Sequence, residues 1–170
     1  MEFIGRELEL ARIKKTLNAP EQRNVLIYGR RRVGKSELIK QALTDLSDVA
    51  TIYYECRQTS EADNLESLSA LAAEALSFPP LAFTGIRELI EFLFAQAKDK
   101  NITLVLDEYP YLRDAVKGLD SILQTSIDAH REDSRLNIVL CGSYVEIMKS
   151  LIEHENPLYG RIDLALELKP

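Results

Sequence analysis

Gly29-Arg30-Arg31-Arg32-Val33-Gly34-Lys35-Ser36 fits the phosphate-loop spacing G-x-x-x-x-G-K-[ST] at every fixed position. The glycines allow the backbone to wrap closely around phosphate. Lys35 supplies a point charge for the β- and γ-phosphates, and the Ser36 hydroxyl is a ligand for Mg²⁺. The loop predicts binding of a nucleoside triphosphate, with contacts from Gly29, Arg30, Arg31, Arg32, Val33, Gly34, Lys35, Ser36 and Glu37. Downstream, Leu104-Val105-Leu106-Asp107-Glu108 is an apolar run ending in two carboxylates. Asp107 is placed to hold Mg²⁺ through its water shell and Glu108 to act as general base on an attacking water. Lys35, Ser36, Asp107 and Glu108 together describe a phosphoanhydride hydrolysis site.

These residues need elements that bring them together. Asn24-Val25-Leu26-Ile27-Tyr28 reads as a strand delivering the loop, and Leu38, Ile39, Ala42, Leu43 and Leu46 mark a helix beginning where the phosphates would lie. The rest of the chain alternates in the same way. An amphipathic helix is predicted over 6–17, a strand over 51–55, a helix through Leu65, Leu68, Ala72 and Leu76, and a helix over 85–98. Strand 102–106, a helix through Leu119 to Ile127, strand 137–141 and a helix through Val145, Met148, Leu151 and Ile152 follow. Nearly solid apolar strands separated by helices imply an α/β fold, a parallel sheet covered on both faces, with ligands at the carboxyl ends of the strands. Residues 163–168 alternate apolar and charged and read as a final edge strand. Pro110 is expected to turn the chain away from the sheet after the acidic pair, with Tyr109 and Tyr111 packing or lining the site.

Composition narrows the function classes. The 170 residues, 46% of them apolar, suit one domain. A formal charge of −6 opposes broad nucleic-acid or anionic-membrane contact, and Arg30 to Arg32, the dense basic cluster, belongs to the phosphate loop. Cys56 and Cys141 lack metal-ligand spacing and read as buried free thiols, which together with the unsignalled start suggests the cytoplasm. His130 and His154 lie among charged residues and read as solvated positions near helix ends.

Two further residues carry paired readings. Ser143, at the end of strand 137–141, either hydrogen-bonds the γ-phosphate or catalytic water, or caps the following helix. Arg161 is either an arginine finger, in its own chain or across an oligomer interface, or the partner of Asp163 or Glu167 in a surface ion pair.

The segments Phe3-Ile4-Gly5-Arg6-Glu7-Leu8-Glu9-Leu10, Tyr28 to Ser36, Leu106-Asp107-Glu108-Tyr109-Pro110-Tyr111-Leu112, Cys141-Gly142-Ser143 and Pro157-Leu158-Tyr159-Gly160-Arg161 resemble the prokaryotic, archaeal-type ATPases of the AAA+/STAND-like P-loop group. The resemblance implies a three-layer P-loop NTPase of the additional-strand (ASCE) type. Its five-stranded sheet would place the phosphate-loop strand between the final strand and the strand ending at Ser143, with the acidic-pair strand beyond. It implies a sensor role for Ser143, an arginine-finger role for Arg161, and a place near adenine for Phe3 and Arg6. It further implies that residues 1–170 are the ATPase core of a longer protein continuing into a winged-helix or effector part, so that the core alone would turn over slowly.

The expected function is therefore Mg²⁺-dependent hydrolysis of ATP to ADP and phosphate, coupled to a protein partner, a missing domain or a homo-oligomer. A slow regulatory nucleotide switch is the alternative, and a small-molecule kinase ranks last because no acceptor pocket or lid is marked. The absence of an N-K-x-D run favours adenine over guanine. No direct nucleic-acid or membrane contact is expected.

Overall fold

The computed structural model describes residues 6–170, so Phe3 and its expected place near adenine lie outside the described residues. Five strands, β1 (Asn24–Tyr28), β2 (Val49–Glu55), β3 (Asn101–Asp107), β4 (Leu136–Gly142) and β5 (Leu164–Glu167), form a sheet in the order β2-β3-β4-β1-β5. Every pairing is parallel. β1 lies between β4 and β5 with β3 beyond β4, the order the family resemblance implies. Seven helices accompany the sheet among the described residues: α1 (Glu7–Leu17), α2 (Lys35–Thr44), α3 (Glu61–Leu76), α4 (Ile86–Gln96), α5 (Tyr109–Ala115), α6 (Leu119–His130) and α7 (Val145–Ser150).

Alternate strand residues feed two separate cores, because successive side chains point to opposite faces. Val25, Ile27, Val105, Val139 and Cys141 pack with α1 and α2, whereas Leu26, Leu104, Leu106, Ile138 and Leu140 pack with α3 to α7. This explains why β1, β3 and β4 read as continuous apolar runs: each is covered on both sides. β5, at an edge, alternates buried and exposed residues as expected. No helix among the described residues is long and apolar enough to cross a membrane.

Three local expectations change. Pro110 does not turn the chain away; it occupies the first turn of α5, where its fixed φ and missing N–H fit the start of a helix. The helix after β4 is a short α7 ending at Ser150, and Leu151 and Ile152 belong to the turns beyond it. His130 is not solvated: its ring stacks on Phe94 at 5.3 Å and its Nε2 meets Glu91 Oε2 at 2.9 Å. His154 is exposed. Both cysteines are free and buried.

The parallel register brings the carboxyl ends of β1, β3 and β4 to one edge. Tyr28 pairs with Gly142, and Leu106 with Leu140, so the loop after β1, the acidic pair after β3 and Ser143 after β4 emerge side by side.

Candidate functional site

β1 ends at Tyr28 and Gly29 begins the loop against the segment that follows β5: a Cβ on Gly29 would stand 2.4 Å from the Leu168 carbonyl oxygen. Gly34 closes the loop at φ 92°, in the left-handed region that glycine enters without strain, and α2 starts at the next residue. Lys35 is buried, and its Nζ donates to the Arg30 carbonyl at 2.8 Å, so the ammonium lies across its own loop.

The central contact joins the two motifs. The Ser36 hydroxyl donates to Asp107 Oδ2 at 2.8 Å across 71 residues of sequence. Asp107 has the strand phase of Val105, whose side chain packs on the α2 side of the sheet; the carboxylate therefore falls where α2 begins. The Glu108 amide donates to Asp107 Oδ1 at 2.9 Å. Glu108 itself adopts φ 53°, ψ 48°, a left-handed conformation of the kind that is stored at functional sites and costs on the order of 1–3 kcal/mol. That backbone turn aims its carboxylate at β4, where the Ser143 amide and hydroxyl both donate to Glu108 Oε1, at 3.0 and 2.8 Å.

The Ser143 contacts decide its structural reading. α7 starts after Tyr144 without any side-chain cap, so Ser143 is not the helix cap; its hydroxyl serves Glu108. A cleft of about 380 Å³ opens among these groups, lined by the loop residues Arg31, Arg32, Gly34, Lys35, Ser36 and Glu37 together with Glu55, Asp107, Glu108, Tyr111 and Ser143. Gly29, Arg30 and Val33 shape the loop without lining the cleft. Larger hollows exist, one of about 500 Å³ beside Arg113 and Asp120 and another of about 640 Å³ beside Cys56 and Leu71, but neither contains a phosphate loop. Residue chemistry, not volume, selects the site.

Two expected participants, Arg6 and Arg161, do not line the cleft. Arg6 donates to the carbonyls of Lys169 and Val33, at 2.6 and 3.3 Å, tying α1 to the end of β5 and to the loop backbone. Arg161 grips Asp128 with two bonds of 2.9 and 2.7 Å and does not line the cleft. The surface-pair reading named the wrong acid. Asp163 is already engaged, accepting the Asn24 amide at 2.7 Å where β1 starts, and Arg161 is bent toward α6 by the turn at Gly160, φ 77°. The fork-on-carboxylate geometry raises the Arg161 guanidinium and lowers the Asp128 carboxyl.

Sequence reading missed Glu55 and Tyr53. Glu55 ends β2 opposite Asp107 and so reaches the cleft from the far edge strand; its position follows only from the β2–β3 register. Tyr53 donates to Asp107 Oδ2 at 2.5 Å. Burial and the adjoining Asp107 carboxylate push its phenol well above the ordinary value, and the same two causes raise the Cys141 thiol, which is therefore neutral and not a nucleophile. At the cleft mouth the Tyr111 and Tyr144 hydroxyls meet at 3.1 Å, and hydrogen bonding to Tyr144 raises the exposed Arg31 guanidinium.

The oxygen donors fit Mg²⁺: a hydroxyl and a carboxylate meet beside the loop, and Mg²⁺ characteristically uses one or two such ligands plus substrate phosphates. Among the described residues no group of three or more His, Cys, Asp or Glu is placed to hold a metal ion.

A family profile described as an ATPase domain predominantly from Archaea matches residues 3–170. An uncharacterized protein of Methanocaldococcus jannaschii is 31% identical over 169 residues, 99% of this chain and 36% of that protein, so the chain spans about a third of that relative. Among solved structures, the Walker-type ATPase of Pyrococcus abyssi superposes with a TM-score of 0.70 at 24% identity, covering 97% of this chain and 53% of that one. The Aeropyrum pernix ORC2 protein, solved as ADPNP-ADP complexes, gives 0.73 at 20% identity over 98% and 48%. The ORC1 protein of the same organism, solved with DNA, gives 0.72 at 20% over 98% and 45%. At these identities the structural likenesses show a shared fold.

Proposed function

Since the chain belongs to the family of ATPase domains found predominantly in Archaea, we propose that it binds ATP with Mg²⁺ in the cleft and hydrolyses it to ADP and phosphate, driving a partner protein or a further domain. The observation that carries this reading is the 2.8 Å bond between Ser36 and Asp107, which joins the phosphate loop to the acidic pair. Ser36 and Asp107 would hold Mg²⁺, which would neutralise charge on the β- and γ-phosphate oxygens.

Lys35 would exchange the Arg30 carbonyl for phosphate oxygens, and the N–H groups at the start of α2 would point at the same anion. Arg31 and Arg32, both lining the cleft, add positive charge near its rim. Glu108 would take a proton from water as that water's oxygen bonds to the γ-phosphorus and the bond to the ADP oxygen breaks. Ser143 would position Glu108 and report on the γ-phosphate side. Arg161 in this chain would be a tether between α6 and the approach to β5; an arginine-finger role would require Asp128 to release it. The net charge of −6 supports a protein rather than a nucleic-acid partner, and the two free buried thiols suit the cytoplasm.

Steady-state phosphate release with Mg-ATP tests the reading. Turnover should depend on Mg²⁺ and vanish in Lys35→Ala; release that survives that substitution would refute the assignment of the site.

A slow nucleotide switch is the second reading, favoured by one observation. Both donors of Ser143 converge on Glu108 Oε1, so a movement of the acidic pair is passed directly to the end of β4 and the start of α7. A switch predicts different amide hydrogen exchange over 108–112 and 143–150 in ATP- and ADP-saturated protein, since only differential binding shifts a conformational equilibrium. Identical exchange would reject it.

A further inference from the structure

We propose that Tyr53 is a positioning residue of the cation site: its hydroxyl, together with that of Ser36, holds Oδ2 of Asp107 and so fixes the carboxylate in the orientation that would receive a hydrated divalent cation beside the phosphates. This rests on the nucleotide-binding reading above and adds to it a residue on the far edge strand.

The geometry is specific. Tyr53 and Ser36 reach the same oxygen from different elements, β2 and α2, at 2.5 and 2.8 Å, while the Glu108 amide holds the other oxygen at 2.9 Å. An ionised carboxylate offers about four acceptor positions, so these donors take both positions on Oδ2 and leave one on Oδ1 for a metal-bound water. Without Tyr53, Ser36 alone would restrain Oδ2. Ser36 would also be a ligand of the cation, so its hydroxyl would be shared between cation and carboxylate. Tyr53 is the restraint that does not itself contact metal, the kind of outer partner that fixes a ligand's orientation.

The ring is held in place to do this. Tyr53 is half-buried on the α1/α2 side of the sheet, and Lys40 Nζ of α2 lies 4.8 Å from its centroid. A phenol carries an O–H donor, which Tyr53 directs at the carboxylate. The alternation of β2 explains the choice of residue: Tyr54, its neighbour, points to the other face and bonds Asn64.

The test is calorimetric titration of ADP into the chain, in Mg²⁺ and in EDTA, for wild type and Tyr53→Phe, which keeps the ring and the Lys40 contact. Affinity in EDTA should stay within about twofold, because the phosphate loop is intact. Affinity in Mg²⁺ should fall about tenfold, the lower end of the effect of removing a partner of a metal ligand. An equal loss in both conditions would mean a merely structural role, and no loss in Mg²⁺ would mean no role; either overturns the proposal. Should Tyr53→Phe not fold, exposed Lys40→Ala decides: a Mg²⁺-specific loss supports a ring-held donor and no loss overturns it. Wild type that binds ADP in neither condition would overturn the nucleotide-binding reading itself, and this proposal with it.

Discussion

Glu108 combines a backbone and a side-chain peculiarity, and the first explains the second. Its left-handed φ of 53° ends β3 abruptly and turns the carboxylate toward Ser143, whereas a continued strand would have sent it to the face of Leu106. Glu108→Gln keeps an acceptor oxygen for both Ser143 donors but cannot take a proton. Phosphate release should fall roughly 10²- to 10⁴-fold with ADP affinity unchanged, and unchanged turnover would remove Glu108 from the base role. Arg161 supplies a contrast, since its pair with Asp128 is about one-third exposed on either side, 31% and 39%. Arg161→Ala should cost less than about 1 kcal/mol in urea unfolding and leave phosphate release by this chain unaltered. The pair also has a pH signature. Asp128 is held below its usual carboxyl range, so its stabilisation is complete above that range and is lost as pH falls through the depressed value. Arg161→Ala should therefore flatten the acid limb of stability against pH; an unchanged acid limb would show that Asp128 is not held down by Arg161.

At the scale of elements, the connection from β2 into α3 is held by one buried amide. Asn64 accepts from the Tyr54 hydroxyl and, at 3.0 Å, from the Arg57 amide, and donates to the Ser60 and Arg57 carbonyls at 2.9 and 3.2 Å. It fixes the chain just after Glu55, where β2 reaches the cleft. Asn64→Ala would leave the buried Tyr54 hydroxyl and the Arg57 amide without this partner, at about 1–3 kcal/mol per group left unsatisfied, while the Ser60 and Arg57 carbonyls keep the amides of Asn64 and Thr59. The urea midpoint should drop accordingly; a loss below about 0.5 kcal/mol would mean that water replaces the amide. α5 shows the same economy. Tyr109, wholly buried, donates to Asp120 at 2.6 Å, and Arg113 and Asn156 reach the other oxygen of that carboxylate at 2.9 and 3.1 Å. The helix that begins at the catalytic-base candidate is thus anchored to α6 and to the turns before β5.

For the molecule as a whole, nucleotide binding should behave as a stabilising ligand of a single folded unit. Mg-ADP at ~100 times its dissociation constant should raise unfolding free energy by about 2.7 kcal/mol, read as a shift in melting temperature. No shift in wild type, or an equal one in Lys35→Ala, would contradict the phosphate-loop assignment. Most of the architecture was legible before the structure, because parallel strands covered on both faces must be apolar throughout and helices at the surface must be amphipathic. β1, β3, β4 and the helices α2, α3, α4 and α6 carry those patterns plainly. α5 was not legible: its seven residues carry no full apolar stripe, and Pro110 marks a turn as readily as a helix start. Local spacing by itself determined the phosphate loop, the acidic pair and the layered α/β class, since each depends on residues close in the chain or on a repeating period. Only the tertiary structure decided that Ser143 serves Glu108, that Arg161 serves Asp128, and that Tyr53 and Glu55 belong beside Asp107. Those pairings depend on strand order, register and backbone turns, which bring together residues that no periodicity along the chain connects.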